Sequence, residues 1–222
     1  MAQVNAKSAE LTATTVVNFP FGSLRLTEKV TEKLNALGYT ACEFVEDVNA
    51  HTGADGGPAV YVGTYRKYNN GSIFGAWVNL SGFDNFADFI KLCNALHADE
   101  KDPELMFQDF EGFPREYYSE SGIDSNAFDA IKHYIELCAE YGENAVTDWL
   151  EISDNLDGFR DSYVGQYDSP EAYAEELINE CYDLEKMMGN LANYFDYSAY
   201  ARELFMCDYH FGSNGYVFNR NC

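Results

Sequence analysis

Residues 98–222 carry 28 Asp and Glu against seven Lys and Arg, whereas residues 1–58 carry seven against four and residues 59–97 two against three. A chain with that balance closes a core only if its acids are sorted onto outward faces, because an unpaired carboxylate is too costly to bury. The full 222-residue sequence has a formal net charge of −23, and nearly all of it falls after residue 97. A generic solubility device would be spread along the chain; this charge is not. Composition excludes an acidic disordered tail, since 46% of residues are hydrophobic and 16% aromatic. The sign of the field excludes partners as well. Phosphate backbones and anionic membrane surfaces attract Lys and Arg and would be repelled here, so neither nucleic acid nor membrane is an expected partner. The expected partner is basic, or cationic where it binds.

Met1 to Thr15 has one Lys and no apolar run of signal-peptide length, and no stretch approaches the ~20 apolar residues of a membrane helix. The six cysteines, Cys42, Cys93, Cys138, Cys181, Cys207 and Cys222, are scattered without a C-x-x-C pair. They read as reduced, mostly core thiols in a cytoplasmic protein. A zinc site assembled from distant Cys and His is the minor alternative.

The apolar pattern implies an α+β chain of small domains. Residues 1–57 form a βαβ-like module: a strand at Thr14–Phe19, a helix from Thr27 to Leu37 closed by Gly38, and an extended segment over Tyr39–Val48. A linker rich in Gly and Pro, His51 to Pro58, marks its end. Residues 58–114 read as a ββαβ domain. Strands Ala59–Tyr68 and Ser72–Leu80 join at Asn70-Gly71, Asp84 caps a helix bearing Phe86, Phe89, Ile90, Cys93 and Leu96, and Glu104–Phe110 returns as a strand. Residues 115–165 look helical, with Phe128, Ile131, Ile135 and Cys138 on one stripe and further helices at Glu143–Ile152 and Leu156–Tyr163. Residues 166–222 form a C-terminal α+β domain. Its first helix starts at Ser169-Pro170-Glu171 and runs through Tyr173, Leu177, Cys181, Leu184 and Met188. A second helix spans Ser198–Met206, and a hairpin pairs Tyr209–Phe211 with Tyr216–Phe218 around Asn214-Gly215.

A charged helix stripe is usually a solvated face, but solvated faces mix signs, because Glu–Lys pairs at i,i+4 stabilise by about 0.2–0.5 kcal/mol and like pairs cost as much. Here Glu171/Glu175 and Glu176/Glu180 are like pairs, and no Lys or Arg occurs between Arg160 and Lys186. Self-repulsion accepted across several helices calls for a reason.

Catalysis supplies none. There is no P-loop, G-x-G-x-x-G, H-E-x-x-H or G-x-S-x-G. Asp154, Asp157 and Asp161 follow helical rather than EF-hand spacing. His51, His97, His133 and His210 are isolated, each read as a surface or satisfied core residue. The chain is therefore not expected to be an enzyme or to hold a metal or cofactor; a carboxylate metalloenzyme is the remaining alternative of that class.

The surface itself is then the functional element. B-DNA carries one charge per ~1.7 Å of axis, so a net 21 charges match roughly 36 Å of duplex, and a dimer about 70 Å. Acids presented at phosphate-like positions would dock into a cleft built for DNA. Before residue 121 the candidate acids are Asp109, Glu111, Glu116 and Glu120. The helical middle supplies Glu140, Glu143, Asp148, Glu151, Asp154, Asp157 and Asp161. Around the next long helix stand Asp168, Glu171, Glu175, Glu176, Glu180 and Asp183.

From Ala59 onward the chain resembles the ArdA antirestriction family, carried on conjugative plasmids and transposons. The matching pieces, in order, are Val60-Tyr-Val-Gly, Tyr68-Asn-Asn-Gly, Gly75-Ala-Trp, Asp109-Phe-Glu-Gly-Phe-Pro114, Asp148-Trp-Leu, Tyr163-Val-Gly-Gln-Tyr-Asp-Ser169, Tyr194-Phe-Asp-Tyr197 and Ala201-Arg-Glu-Leu-Phe205. The first 57 residues fall outside the resemblance. The resemblance implies an elongated dimer of three small domains per chain that imitates bent B-DNA. It would occupy the DNA-recognition and methyltransferase core of type I restriction–modification enzymes. A mimic aimed at another basic DNA-binding protein, such as a nucleoid protein or repressor, is the alternative. The family's dimers form through the C-terminal domain, which maps here to Tyr209, Phe211, Tyr216, Val217 and Phe218. In the D-F-E-G-F-P piece, Asp109 and Glu111 are either mimic charges or neighbours of a turn fixed by Gly112 and Pro114, the second reading being favoured.

Overall fold

The computed structural model describes residues 3–4, 15–53 and 56–221. The fold is α+β, with three small antiparallel sheets, and the chain divides into two compact units, residues 1–135 and 136–222.

In the first unit, β1 (Gln3–Val4), β2 (Val16–Phe19) and β3 (Gly22–Arg25) make a three-stranded sheet in that order. Thr27 caps α1 (Glu28–Ala36), its hydroxyl accepting from Val30 N at 3.4 Å. Gly38 follows at φ +79°, a left-handed conformation that favours glycine. The segment after it is not extended, as the sequence pattern suggests, but α2 (Ala41–His51). Thr40 and Glu43 form a capping box, with Glu43 N donating to Thr40 Oγ1 at 3.2 Å and Thr40 N to Glu43 Oε2 at 2.8 Å. Phe44, Val45 and Val48 are buried at helical spacing. The N-terminal module is thus a small sheet carrying two helices, not a βαβ unit.

The second sheet has the order β5-β4-β6. Its central strand β4 (Ala59–Thr64) is buried along its whole length. The tight Asn-Gly hairpin expected after it does not form. The Thr64 hydroxyl accepts from Lys67 N at 3.2 Å and starts α3 (Tyr65–Asn69), and the chain rejoins the sheet only at β5 (Ala76–Asn79). Helix α4 (Phe86–Leu96) is capped by Asn85 rather than Asp84, Asn85 Oδ1 accepting from Asp88 N at 3.0 Å. It buries Phe89, Leu92, Cys93, Ala95 and Leu96. Strand β6 (Leu105–Glu111) completes the sheet, and Phe89 stacks between Phe107 and Phe128 at 6.0 and 5.6 Å. Gly112 turns the chain at φ +74°, where a Cβ would come within 2.6 Å of the Gly57 backbone. The turn-forming reading of this glycine is the one its geometry supports.

Beside α4 lies a buried polar knot. Thr64 Oγ1 donates to Glu100 Oε1 at 2.6 Å, and Lys67 Nζ reaches His97 Nδ1 at 2.9 Å and Asp99 Oδ1 at 2.8 Å. His97 Nε2 faces the Val62 carbonyl at 3.3 Å. Burial, reinforced by the Lys67 charge, holds the His97 imidazole down to about 3. An unfolded histidine takes its proton near pH 6.5. Between those two values the unfolded chain binds one more proton, so stability from this group is complete above pH 6.5 and falls as the solution is acidified. The expected slope is about 1.4 kcal/mol per pH unit. A comparison of urea unfolding from pH 6.5 to 4.5 for the wild-type chain and His97→Gln reads it as the part of the wild-type slope that the variant loses.

Helix α5 (Ser125–Tyr141) contains the division between the units; Phe128, Ile131, Tyr134 and Leu137 are its buried residues. The second unit continues with α6 (Glu143–Leu150), α7 (Phe159–Ser162) and β7 (Tyr163–Gln166). The helix expected over 156–163 therefore ends in a strand, because Tyr163 pairs with Phe218 instead of closing another turn. Next come α8 (Pro170–Cys181), α9 (Leu184–Met188), α10 (Tyr197–Cys207), β8 (Tyr209–Phe211) and β9 (Tyr216–Asn219). Ser169 caps α8 as its sequence implies, accepting from Ala172 N at 3.1 Å. The long helix expected through Met188 stops at Cys181. Asp183, expected on its polar face, instead caps α9 by accepting from Lys186 N at 3.0 Å. The sheet order is β7-β9-β8, so β9 is central. Among the described residues no helix is long and apolar enough to cross a membrane.

Candidate partner-binding surface

Sequence sorts the acids of the second unit before any packing does. In α8, Tyr173, Ala174 and Ile178 are buried; Ala174 clusters with Ala201 and Leu204 of α10, Leu177 packs on that cluster, and the Tyr173 ring meets Phe205 at 5.8 Å. That contact fixes the rotation of the helix and turns Glu171, Glu175, Glu176 and Glu180 to solvent. Two of them are held by hydroxyls: Glu171 Oε1 accepts from Ser198 at 3.2 Å and Glu176 Oε1 from Tyr167 at 2.9 Å. Burial, with this carboxylate as a second cause, pushes the Tyr167 phenol up to about 12, so it remains a donor.

Fifteen of the seventeen acids expected on the surface are exposed, namely all but Glu111 and Asp148. Residues 136–222 hold 18 Asp and Glu against four Lys and Arg. Among the described residues of this unit the ion pairs are Arg160–Glu140 and, when the histidine is charged, His210–Glu151 at 3.3 Å. The Arg160 guanidinium is raised by its bond to Glu140. Bonding by Ser213, with help from His210, holds the Glu151 carboxyl below the usual carboxylate range. Among the described residues no other acid of this unit forms an ion pair.

Asp148 departs from this set. It is fully buried on α6, where both carboxylate oxygens accept from Asn214 N at 3.0 Å. Oδ1 also takes Asn214 Nδ2 at 2.6 Å and Oδ2 takes Tyr216 N at 3.1 Å. Glu151, one turn on, accepts from Ser213 N at 3.3 Å. Asp148 is thus a latch for the β8–β9 turn rather than a surface charge. Gly212 is required beside it, since any Cβ there would collide with the Asp148 carboxylate.

Glu111 is half-buried, with Oε1 enclosed and unpartnered among the described residues. Asp109, Glu116 and Glu120 are exposed; Asp109 accepts from Phe110 N at 2.9 Å. Of the residues expected at a dimer contact, Val217 and Phe218 are fully buried within one chain. Phe218 packs on Trp149 and Phe159 at 5.4 and 5.6 Å, so neither residue offers a surface to a second copy. Tyr209, Phe211 and Tyr216 are half-buried.

No group of three His, Cys, Asp or Glu side chains among the described residues is placed to hold a metal ion. The fold and surface define an acidic α+β protein whose charge lies on exposed helix faces and turns. A family model described as "Antirestriction protein (ArdA)" matches residues 60–218, and the chain belongs to that family. Its function class is therefore antirestriction, directed against restriction enzymes. No curated protein matches the chain.

Proposed function

We propose that this chain is a B-DNA mimic that occupies the DNA-binding site of type I restriction–modification enzymes. It works in the cytoplasm, without catalysis or cofactor, as a homodimer to which Tyr209, Phe211 and Tyr216 contribute. The observation that carries the reading is the set of exposed, uncompensated carboxylates in residues 136–222. Their arrangement has to act collectively. Helix α8, with 12 residues, is about 18 Å long, and B-DNA of that length carries about 11 charges. Four exposed glutamates cannot match that count alone, so neighbouring helices and turns have to complete the field.

The test is competition. Excess protein should displace a fluorescent duplex from a type I methyltransferase at 50 mM salt, with displacement fading steeply by 300 mM. Failure at low salt across several type I enzymes sinks the reading. Displacement instead of a nucleoid protein or repressor from the same duplex would establish the other basic target.

A further inference from the structure

Tyr182, Met187, Met188, Leu191, Tyr194 and Met206 stand exposed in the second unit, six of the nine large hydrophobic side chains so placed among the described residues. Apolar residues scattered singly over a surface are ordinary, but several within one short stretch mark a contact surface. The stretch has a local cause. Leu184 and Met188 continue the helical spacing of Tyr173, Leu177 and Cys181, which points them at the packed face of α8. The chain breaks at Tyr182 instead and passes into α9 and a short 3-10 helix (Gly189–Tyr194), neither of which buries a residue. From Asn179 to Tyr200 no residue is buried. Met187 is 66% exposed, Leu191 63% and Tyr194 84%, so side chains suited to a core lie where the second unit does not cover them.

Charge selects what covers them. An open groove of about 660 Å³ lies where the end of α8 meets α9 and the 3-10 helix. Tyr182, Leu184 and Ala192 line it with apolar surface, Glu180, Asp183 and Glu185 line it with carboxylates, and no Lys, Arg or His does. Glu180 and Asp183 are also among the acids expected to stand in for phosphates, so a surface resting on the end of α8 reaches the groove. A second copy of the chain would bring the same three carboxylates to the rim and be repelled, whereas a cationic protein surface is attracted. An apolar centre within a polar rim is the anatomy of a protein interface. Phosphates, which these acids imitate, have no counterpart to that centre.

We propose that the stretch from Tyr182 to Tyr194 is an apolar anchor for the same cationic partner that the carboxylates attract. Its counterpart on that partner is an apolar patch rimmed by Lys and Arg. The two parts of the surface act differently. The carboxylates set the attraction and its salt dependence, and the anchor adds affinity that salt does not screen. Protein and duplex then share the electrostatic attraction, but only the protein has the anchor, which favours it in competition. The inference rests on the DNA-mimic reading.

Met187→Ser/Leu191→Ser/Tyr194→Ser removes the anchor without entering the core, since all three side chains are exposed. The full-length variant competes with a fluorescent duplex for a type I methyltransferase at 50, 100 and 200 mM salt. It should bind about tenfold more weakly than the wild-type chain at each concentration, with the slope of log affinity against log salt unchanged. Ile73→Ser, at an exposed apolar residue of the first unit, should bind like the wild type; an equal loss there would overturn the anchor. A triple variant that matches a wild-type chain able to displace the duplex overturns the anchor and leaves the mimic standing. A wild-type chain that displaces nothing at 50 mM overturns the mimic, and the anchor with it. A loss seen only as a lower salt slope overturns the anchor, because the contact would then be electrostatic. So does a loss accompanied by a halved mass in light scattering, because the face would then belong to a second copy.

Discussion

Replacing Glu171, Glu175, Glu176 and Glu180 together by Gln should weaken displacement of duplex DNA at least tenfold and flatten its salt dependence. All four side chains are exposed on α8, so the amides lose charge without losing a packing contact. Each phosphate-like charge that leaves the interface removes about 0.9 from the slope of log affinity against log salt, so four charges remove up to about 3.6. Each single substitution should change affinity about twofold or less, because the attraction is a sum over many sites. Titrating competition at four salt concentrations for the wild-type chain, the singles and the quadruple variant measures both quantities. A single Glu→Gln change that abolished activity in a folded chain would mean a discrete contact instead of a distributed field. Glu171 and Glu176 give the series an internal control, since their hydroxyl partners Ser198 and Tyr167 can also bond an amide.

The largest stability effect is expected at Asp148. Asp148→Ala leaves Asn214 N and Tyr216 N, part-buried at the β8–β9 turn, without their acceptor. Unpartnered buried donors cost about 1–3 kcal/mol each, more when the lost partner was charged, which puts the total near 3–5 kcal/mol. Urea unfolding should show the midpoint falling with little change in slope. Asp148→Asn keeps the volume and one acceptor oxygen but turns an amide donor toward backbone donors, so it should recover only part of the loss. Glu151→Gln, on the exposed side of the same turn, should cost under 1 kcal/mol. An equal loss at both positions would contradict the latch.

The contrast between these two sites shows what the sequence could disclose. The start of α8 was readable because Ser169, Pro170 and Glu171 act within one turn of chain. The outward position of its glutamates followed from the spacing of Tyr173 and Leu177. Asp148 was not readable: its sequence neighbours place it on a helix among other acids, and only the approach of Asn214, 66 residues away, makes it a core residue. Val217 and Phe218 failed similarly, because a central strand is told from an edge strand by its neighbours and not by its own residues. The stretch Tyr39–Val48 shows a local error. Phe44, Val45 and Val48 suit either period, and the Thr40–Glu43 capping box, visible in the sequence, decides for helix. The break at Tyr182 has a similar cause, since the apolar residues beyond it continue a helical spacing that Asp183 interrupts by capping a new helix.

The strand order β7-β9-β8 governs when this protein becomes itself during synthesis. β9 lies between two strands that both precede it in sequence, so β7 and β8 have no ladder until residue 219 has been made. A nascent chain of about 215 residues carries its acidic helices and an unformed sheet, with Trp149 and Phe159 still lacking the Phe218 ring that covers them. Pairing across some fifty residues of chain is slow compared with helix formation. The sheet of the second unit is therefore completed last, and an interruption of translation just short of β9 leaves a highly charged chain whose Trp149 and Phe159 rings lack their Phe218 cover.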